Sequence, residues 1–457
     1  MQSSFNDDIY LPLQQAFQSG LSRDLNWRKT QLKQLQKLVT DNQKAINQAL
    51  FNDLGKPVHE NWLTESGFVL TDIKHTLRSL KKWSKPRAVS TPLVLQPGSS
   101  YILPEPKGVV LVIGAWNYPL QLCLSPVIAA LAAGNMVVLK PSELASHTSA
   151  LLAELLPKYL DNHAIKVVEG AAEQTSELLE LPFDHIFYTG GERVGKIVMK
   201  AAAEHLTPVT LELGGKSPCI ISSDCDMTTT AKRIVWNKWV NAGQTCVAPD
   251  YLLVEEAATE PLIDAIKTQL KAFYGDAAID NKDYCRIINQ THLNRLTQYL
   301  TGQTVIYGGD VNEAGYMSPT LVLNPPEESP LMQEEIFGPI LPIIIVSNTQ
   351  QAIDFINRRP KPLALYMYSN NKGDVKKVIT HTSSGSVCIN DGMVFMANHH
   401  LPFGGVGTSG MGNYHGQYGF DTFSHLKSVM HRSFKFDVAL RYAPYSKLKL
   451  WLVKKLM

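Results

Sequence analysis

The amino-acid sequence contains no apolar run near the ~20 residues that a membrane-spanning helix requires. Its polar, acidic start, "MQSSFNDDIYLPLQQAF", lacks the apolar core of a secretory signal. Charge of one sign is also lacking. The net charge is only +2 over 457 residues, and no basic stripe crosses the body of the chain, so no nucleic-acid partner is expected. Cysteine is sparse: Cys123, Cys219, Cys225, Cys246, Cys285 and Cys388 are the only six, scattered without a repeating spacing and without a CxxC pair. That distribution excludes a secreted disulfide framework and gives no zinc site, so no metal is expected. Internal repeats and low-complexity tracts are absent too. What remains is an ordinary globular composition, 44% apolar and 18% charged. The chain is too long for one core and points to two or three domains, with the cytoplasm as the expected compartment.

Residues 5 to 86 carry leucine and alanine at helical spacing, as in "WRKTQLKQLQKLVTDNQKAINQAL". The stretch 87 to 106, "RAVSTPLVLQPGSSYILPEP", is rich in Pro, Ser and β-branched residues and reads as an extended arm. Beyond it, "GVVLVIGAW", "NMVVLKPS", "IKVVEG", "HIFYTGG" and "TPVTLELGG" are strands separated by helical segments, and a second alternating region runs from 215 to 395. Strands alternating with crossover helices imply α/β architecture with parallel sheets, which bind ligands at the carboxyl ends of their strands. The expected division is 1–86 with 106–209, then 210–398, with 87–105 and 399–457 as arm and tail. The basic ending "SKLKLWLVKKLM" reads as a terminal helix packing on the body or a partner subunit rather than a membrane anchor.

Two glycine patterns are weaker than they look. "GGERVGKI" has Ile197 where a nucleotide-triphosphate loop needs Ser or Thr to hold Mg²⁺, so that chemistry is disfavoured. Its Gly190, Gly191 and Gly195 still follow a strand and open a helix, where backbone N–H groups face a phosphate. "GVGTSG" at 405 to 410 lacks a preceding strand and reads as a bending loop.

Cys246, in "NAGQTCVAPD", sits in small, polar company rather than among the aliphatics that surround Cys219 in "SPCII". Packing thiol and nucleophile are both open for it. Likewise Asn117 is either an Asx turn before Pro119 or a cleft-facing donor. Glu212, in an otherwise apolar strand, is either salt-bridged or a desolvated carboxyl with a raised pKa, suited to general-base work.

Taken in order, "GAWNYPLQL", "LKPSE", "YTGGERVG", "LELGGKSP", "NAGQTCVAPDY", "EEIFGPILPI" and "LPFGGVGTSGMGNYHG" resemble the aldehyde dehydrogenase superfamily over residues 105 to 425. "NAGQTCVAPDY" and "YHGQYGFDTFSHLKSV" resemble its class 3 branch, which includes fatty, aromatic and coniferyl-aldehyde-type enzymes. Ala115, where proline is common, and Asn413 depart from the pattern without touching a reacting group. The resemblance implies a Rossmann-type cofactor domain, an α/β catalytic domain and a small β oligomerisation arm. It implies NAD(P)-dependent oxidation of an aliphatic or aromatic aldehyde through a Cys246 thiohemiacetal and thioester, in a homodimer. Cys246 is then the nucleophile, Asn117 with the Cys246 backbone N–H the oxyanion site, and Glu212 the base. Lys140 and Glu143 serve the adenine ribose of NAD or NADP, and Gly190, Gly191 and Gly195 the phosphates. Glu335 serves the nicotinamide ribose and Phe337 packs near the nicotinamide, while Glu334 is expected to be merely solvated. The rivals are a cysteine hydrolase using His399 or His415, and an acyl-group reductase.

Overall fold

The computed structural model describes residues 5–435 and 437–456. The chain opens with helices Leu11–Gln18, Leu25–Asp41, Gln43–Leu54 and Gly67–Trp83. In Leu25–Asp41, Leu32, Leu35, Leu38 and Val39 form one buried face, and the Asp24 side chain caps the N-terminus by accepting the Asn26 N–H. Leu13 and Ala16 of the first helix pack with Val109, Leu111, Met136 and Val138 on one face of the first sheet, while the helices after it pack with Val110, Val112, Val137 and Leu139 on the other.

That sheet has six strands, in the order Gly410–Met411, Val209–Glu212, His185–Thr189, Val109–Ile113, Met136–Lys140 and Ile165–Val167. All neighbours are parallel except Gly410–Met411, which runs antiparallel to Val209–Glu212. The central strand, "VVLVI", is buried along its whole length, as a parallel strand covered on both faces must be. Strand order reverses between Val109–Ile113 and His185–Thr189. The crevice beyond their carboxyl ends is therefore the place where such sheets take a ligand.

The second sheet has seven strands, ordered Val305–Tyr307, Thr320–Leu323, Ile340–Val346, Tyr251–Glu255, Pro218–Ile221, Ala364–Tyr368 and Ser386–Ile389. Only the first pairing is antiparallel. The alternation read from the sequence thus resolves into two parallel-type sheets, the chain passing from the first to the second between Glu212 and Pro218 and returning to the first at Gly410–Met411.

The Pro- and Ser-rich stretch forms the expected arm. Arg87–Val89 and Gly98–Pro106 are antiparallel, and Gly98–Pro106 pairs along its full length with Ser424–Arg432. "GVGTSG" is a bend, a single turn at Gly407–Ser409 leading into Gly410–Met411. The terminal helix Lys447–Leu456 faces Leu93–Leu95 of the arm across a groove of about 810 Å³. It leaves Leu448 and Trp451 66% and 51% exposed, so it packs on the body less closely than the sequence suggests.

Candidate active site

Helix Met227–Trp239 delivers the chain to an unusual turn. Asn241, Ala242 and Gly243 take φ values of 54°, 50° and 74° in succession, left-handed conformations that cost an L-residue about 1–2 kcal/mol each. Gly243 accepts no side chain, since a Cβ there would lie 2.2 Å from the Gly338 carbonyl oxygen. Bonds from outside hold the turn. The Asn241 N–H donates to Glu60 at 2.9 Å, and its carboxamide donates to the Asn117 and Gln244 carbonyls at 2.8 and 3.1 Å. Gln244 in turn donates to the Arg286 carbonyl and accepts the Ile288 N–H, both at 3.0 Å.

The turn presents Cys246, partly exposed, on the wall of an apolar cavity of about 200 Å³. Asn117 reaches the same turn from the first sheet. It is 3% exposed, and its Nδ2 donates to the Gln244 carbonyl at 3.1 Å. Beside it the Tyr118 and Thr245 hydroxyls share a 2.6 Å hydrogen bond.

Glu212 ends strand Val209–Glu212 and lines the same cavity as Cys246. Both carboxyl oxygens are buried without a hydrogen-bond partner, so the salt-bridged alternative is not what the structure shows. Burial pushes its pKa well above the usual carboxylate range. The same burial, together with the nearby Glu335 and Glu212, pushes the Cys246 thiol up to about 12. The site therefore stores no ready thiolate; the proton has to be taken when the thiol reacts.

Glu335 lies against Gly214, where a Cβ would sit 2.1 Å from its Oε2. Burial and the neighbouring Asp250 push its pKa up to about 8. Lys216 ties three motifs together around it. Its ammonium pairs with Asp250 and donates to the Leu331 and Glu334 carbonyls at 2.9 and 2.8 Å, while the Ile336 N–H donates to Asp250 at 3.0 Å. Glu334 is not merely solvated, because its carboxylate accepts the Tyr299 hydroxyl at 2.7 Å. Phe337, at φ 47°, turns its ring edge-on to Trp116 with 5.2 Å between centroids.

The reversal crevice fits a dinucleotide. Gly190, at φ 159°, has no room for a Cβ, which would meet the Tyr188 hydroxyl at 2.2 Å. A Cβ on Gly191 would meet nothing within 4 Å, leaving open space at the N-terminus of helix Glu192–Ala203. A Cβ on Gly195 would press on Leu213 at 2.9 Å, so this glycine lets the helix pack closely. Tight turn, open approach and close packing are the three glycine roles of a pyrophosphate site. At the end of Met136–Lys140, the Lys140 ammonium donates to the Pro141 carbonyl at 3.0 Å and to the half-exposed Glu143 at 3.2 Å.

Neither candidate histidine of a hydrolase serves Cys246. His399 stacks on His75 at 4.8 Å, His415 stacks on Phe403 at 5.1 Å, and the His399 ring nitrogens and His415 Nε2 have no hydrogen-bond partner.

The model of the aldehyde dehydrogenase family matches residues 13–429. Aldehyde dehydrogenase family 3 member H1 of Arabidopsis thaliana is 48% identical, covering 98% of this chain and 94% of the plant protein. The dimeric NADP-preferring aldehyde dehydrogenase of Rattus norvegicus is also 48% identical, covering 97% of this chain and 98% of its own. The substrate-bound structure of Staphylococcus aureus AldH superposes with a TM-score of 0.95 at 44% identity, covering 98% of each chain. The chain belongs to the aldehyde dehydrogenase family, where it is class 3-like. It is an NAD(P)-dependent enzyme that oxidises an aldehyde to the carboxylic acid.

The motifs did not disclose all of the cavity wall. Leu63, Phe68, Trp236, Met393, Phe403 and Tyr414 line it from five separate parts of the chain. The unpartnered Thr189 hydroxyl lines it too. Tyr118, Phe403 and Tyr414 stand inside quoted motifs, so their aromatic character was the one available signal.

Two outcomes follow from the electrostatics. Without cofactor, alkylation of Cys246 by iodoacetamide should accelerate by about tenfold per pH unit from pH 6 to 9 without a plateau, because the thiolate fraction limits it; rates fitted by mass spectrometry check this. For Glu212, a raised folded pKa means that the folded state holds its proton where the unfolded state has lost it. Its effect is therefore to lower stability as pH rises above the unfolded carboxyl pKa. Glu212→Gln should melt higher than the parent by a margin that grows from pH 5 to 8, read by calorimetry.

Proposed function

We propose that Cys246 is the nucleophile of this oxidation, that Glu212 is its proton acceptor, and that Asn117 binds the oxyanion. The observation that carries the reading is the sharing of one apolar cavity by a thiol and an unpartnered carboxyl. The ionised Glu212, whose proton affinity burial raises, removes the proton from Cys246 as the sulfur bonds to the aldehyde carbon. The new oxyanion accepts the Cys246 backbone N–H and the second N–H of the Asn117 carboxamide, whose first is held by Gln244. NAD(P)⁺, when bound, supplies the hydride acceptor that turns this thiohemiacetal into a thioester. Glu212 gives that proton up to solvent and then takes one from water, whose oxygen attacks the thioester; as the C–S bond breaks to release the acid, Glu212 returns this proton to sulfur and the thiol is restored. Lys140 and Glu143 would hold the adenine ribose, Gly190, Gly191 and Gly195 the phosphates, and Glu335 and Phe337 the nicotinamide end.

In this reading the six-stranded sheet with the N-terminal helices is the cofactor domain and the seven-stranded sheet the catalytic domain. The arm and tail meet a second copy rather than a membrane, in a cytoplasmic homodimer. Exposed Leu93 and Leu448 on that surface support it, as does the dimeric character in the rat relative's name.

Cys246→Ser should abolish NAD(P)H formation while cofactor binding by fluorescence titration persists, and near-normal turnover would overturn the reading. Asn117→Ala should lower kcat by ~10²–10³-fold, the usual contribution of one oxyanion donor, while iodoacetamide still reaches Cys246.

The substrate class in this reading is a medium- or long-chain aliphatic or an aromatic aldehyde. Leu63, Phe68 and Ala397 line both the reaction cavity and an outer cavity of about 210 Å³, so a long tail has somewhere to continue. Phe68→Ala should join the two and raise kcat/KM for hexadecanal relative to hexanal by about 10-fold or more. That is the worth of roughly two buried methylenes at about 0.8 kcal/mol each. An unchanged ratio across an aldehyde series would show that the tail takes another route.

A further inference from the structure

We propose that Lys56 and Glu65 are positioning residues for the oxyanion side of the site, acting through Asn117. The Lys56 ammonium and the Glu65 carboxylate lie 2.7 Å apart, and both side chains are completely buried. A buried ion pair is a poor device for stability, because desolvation offsets most of its attraction. What these two charges hold is more informative. Lys56 Nζ donates to the Asn117 carbonyl at 3.2 Å and stands 4.2 Å from the centroid of the Tyr118 ring. The second oxygen of Glu65 accepts the N–H of Gln121 at 2.9 Å, at the first residue of helix Gln121–Ala133. One ion pair thus grips both ends of the turn 117–121. From that turn Asn117 reaches the Gln244 carbonyl and Tyr118 reaches Thr245, the residue before Cys246.

The opposite side is held from the same N-terminal stretch, since Glu60 accepts the Asn241 N–H at 2.9 Å. Neither Lys56 nor Glu65 lines the reaction cavity, so neither touches the aldehyde. Without the pair, the Asn117 carbonyl keeps only the Asn241 carboxamide, and the oxyanion donor loses its fixed aim. An oxyanion exists only after sulfur attack, so the loss falls on the rate of that step rather than on cofactor affinity.

This inference rests on the oxyanion role of Asn117, and a double-mutant cycle separates the two. The variants are Lys56→Met with Glu65→Gln, which leaves no unpaired charge, Asn117→Ala, and their combination. The rate constant of the first NADH turnover with decanal is measured, normalised to the sites that iodoacetamide titrates. The charge-pair variant should slow that step by about 10–100-fold in the native background, as misplacement of a reacting group does, with KM for NAD⁺ unchanged. In the Asn117→Ala background it should slow it less than about threefold, because the group that it positions is already gone. Equal losses in both backgrounds, or no loss in either, would overturn the proposal. A neutral Asn117→Ala would show instead that the oxyanion reading fails, and the positioning role with it. Should the charge-pair variant not fold by circular dichroism, Lys56→Gln with Glu65→Gln runs the same cycle, since it also leaves no unpaired charge and keeps both side chains polar.

Discussion

The site depends on a backbone that would not hold its shape alone. Three consecutive left-handed residues, two of them carrying side chains, set Cys246 in place. Such strain persists only where the surroundings over-determine it. Here the constraint comes from Glu60 in the N-terminal helical region, Asn117 after strand Val109–Ile113, Arg286 and Ile288 in the loop before helix Gln290–Tyr299, and the Gly338 carbonyl. The turn that carries the thiol is thus fixed by bonds from several separate segments of the chain, and a substrate meets a geometry already assembled.

Electrostatics adds a second restraint. Cys246, Glu212 and Glu335 lie close enough that each charge would oppose the next, and burial penalises all three. Such a site tolerates little negative charge at a time. A proton leaving the thiol is therefore accommodated best when it moves to a neighbouring carboxylate, and a bound cation nearby lowers the barrier for all of them. The apolar cavity that makes these acids weak is also what makes the two carboxylates, once ionised, better proton acceptors.

The sequence was most legible where chemistry or backbone geometry admits few residue types. Gly190, Gly191 and Gly195 meet three different steric demands, and each can be read from a strand followed by glycines and a helix. The alternation of buried runs was enough to foresee parallel sheets, and Pro- and Ser-rich composition enough to foresee the arm. Through-space pairings were not legible. Lys56 sits in the break 55–57 between two helices and Glu65 in the helical turn Trp62–Ser66, places where charges ordinarily face water, and nothing local says that they are wholly buried. Glu334 looked solvated for the same reason, although it accepts a hydrogen bond from Tyr299, 35 positions away. The cavity wall failed for a related cause, since Phe68 and Met393 become neighbours only once the whole chain has folded.

The arm has a consequence for how the protein is made. Glu105 and Lys427, paired across adjoining strands, are 322 positions apart in the chain. At ribosomal rates of about 5–20 residues per second, strand Gly98–Pro106 waits roughly 15–60 seconds for Ser424–Arg432. Through that interval it has only the short Arg87–Val89 beside it, and its other edge offers unpaired backbone groups to any strand that passes. The glutamate, lysine and two prolines within and beside this segment, Glu105, Lys107, Pro104 and Pro106, are residue types that discourage edge-to-edge association. They suit a strand whose partner is translated hundreds of positions after it.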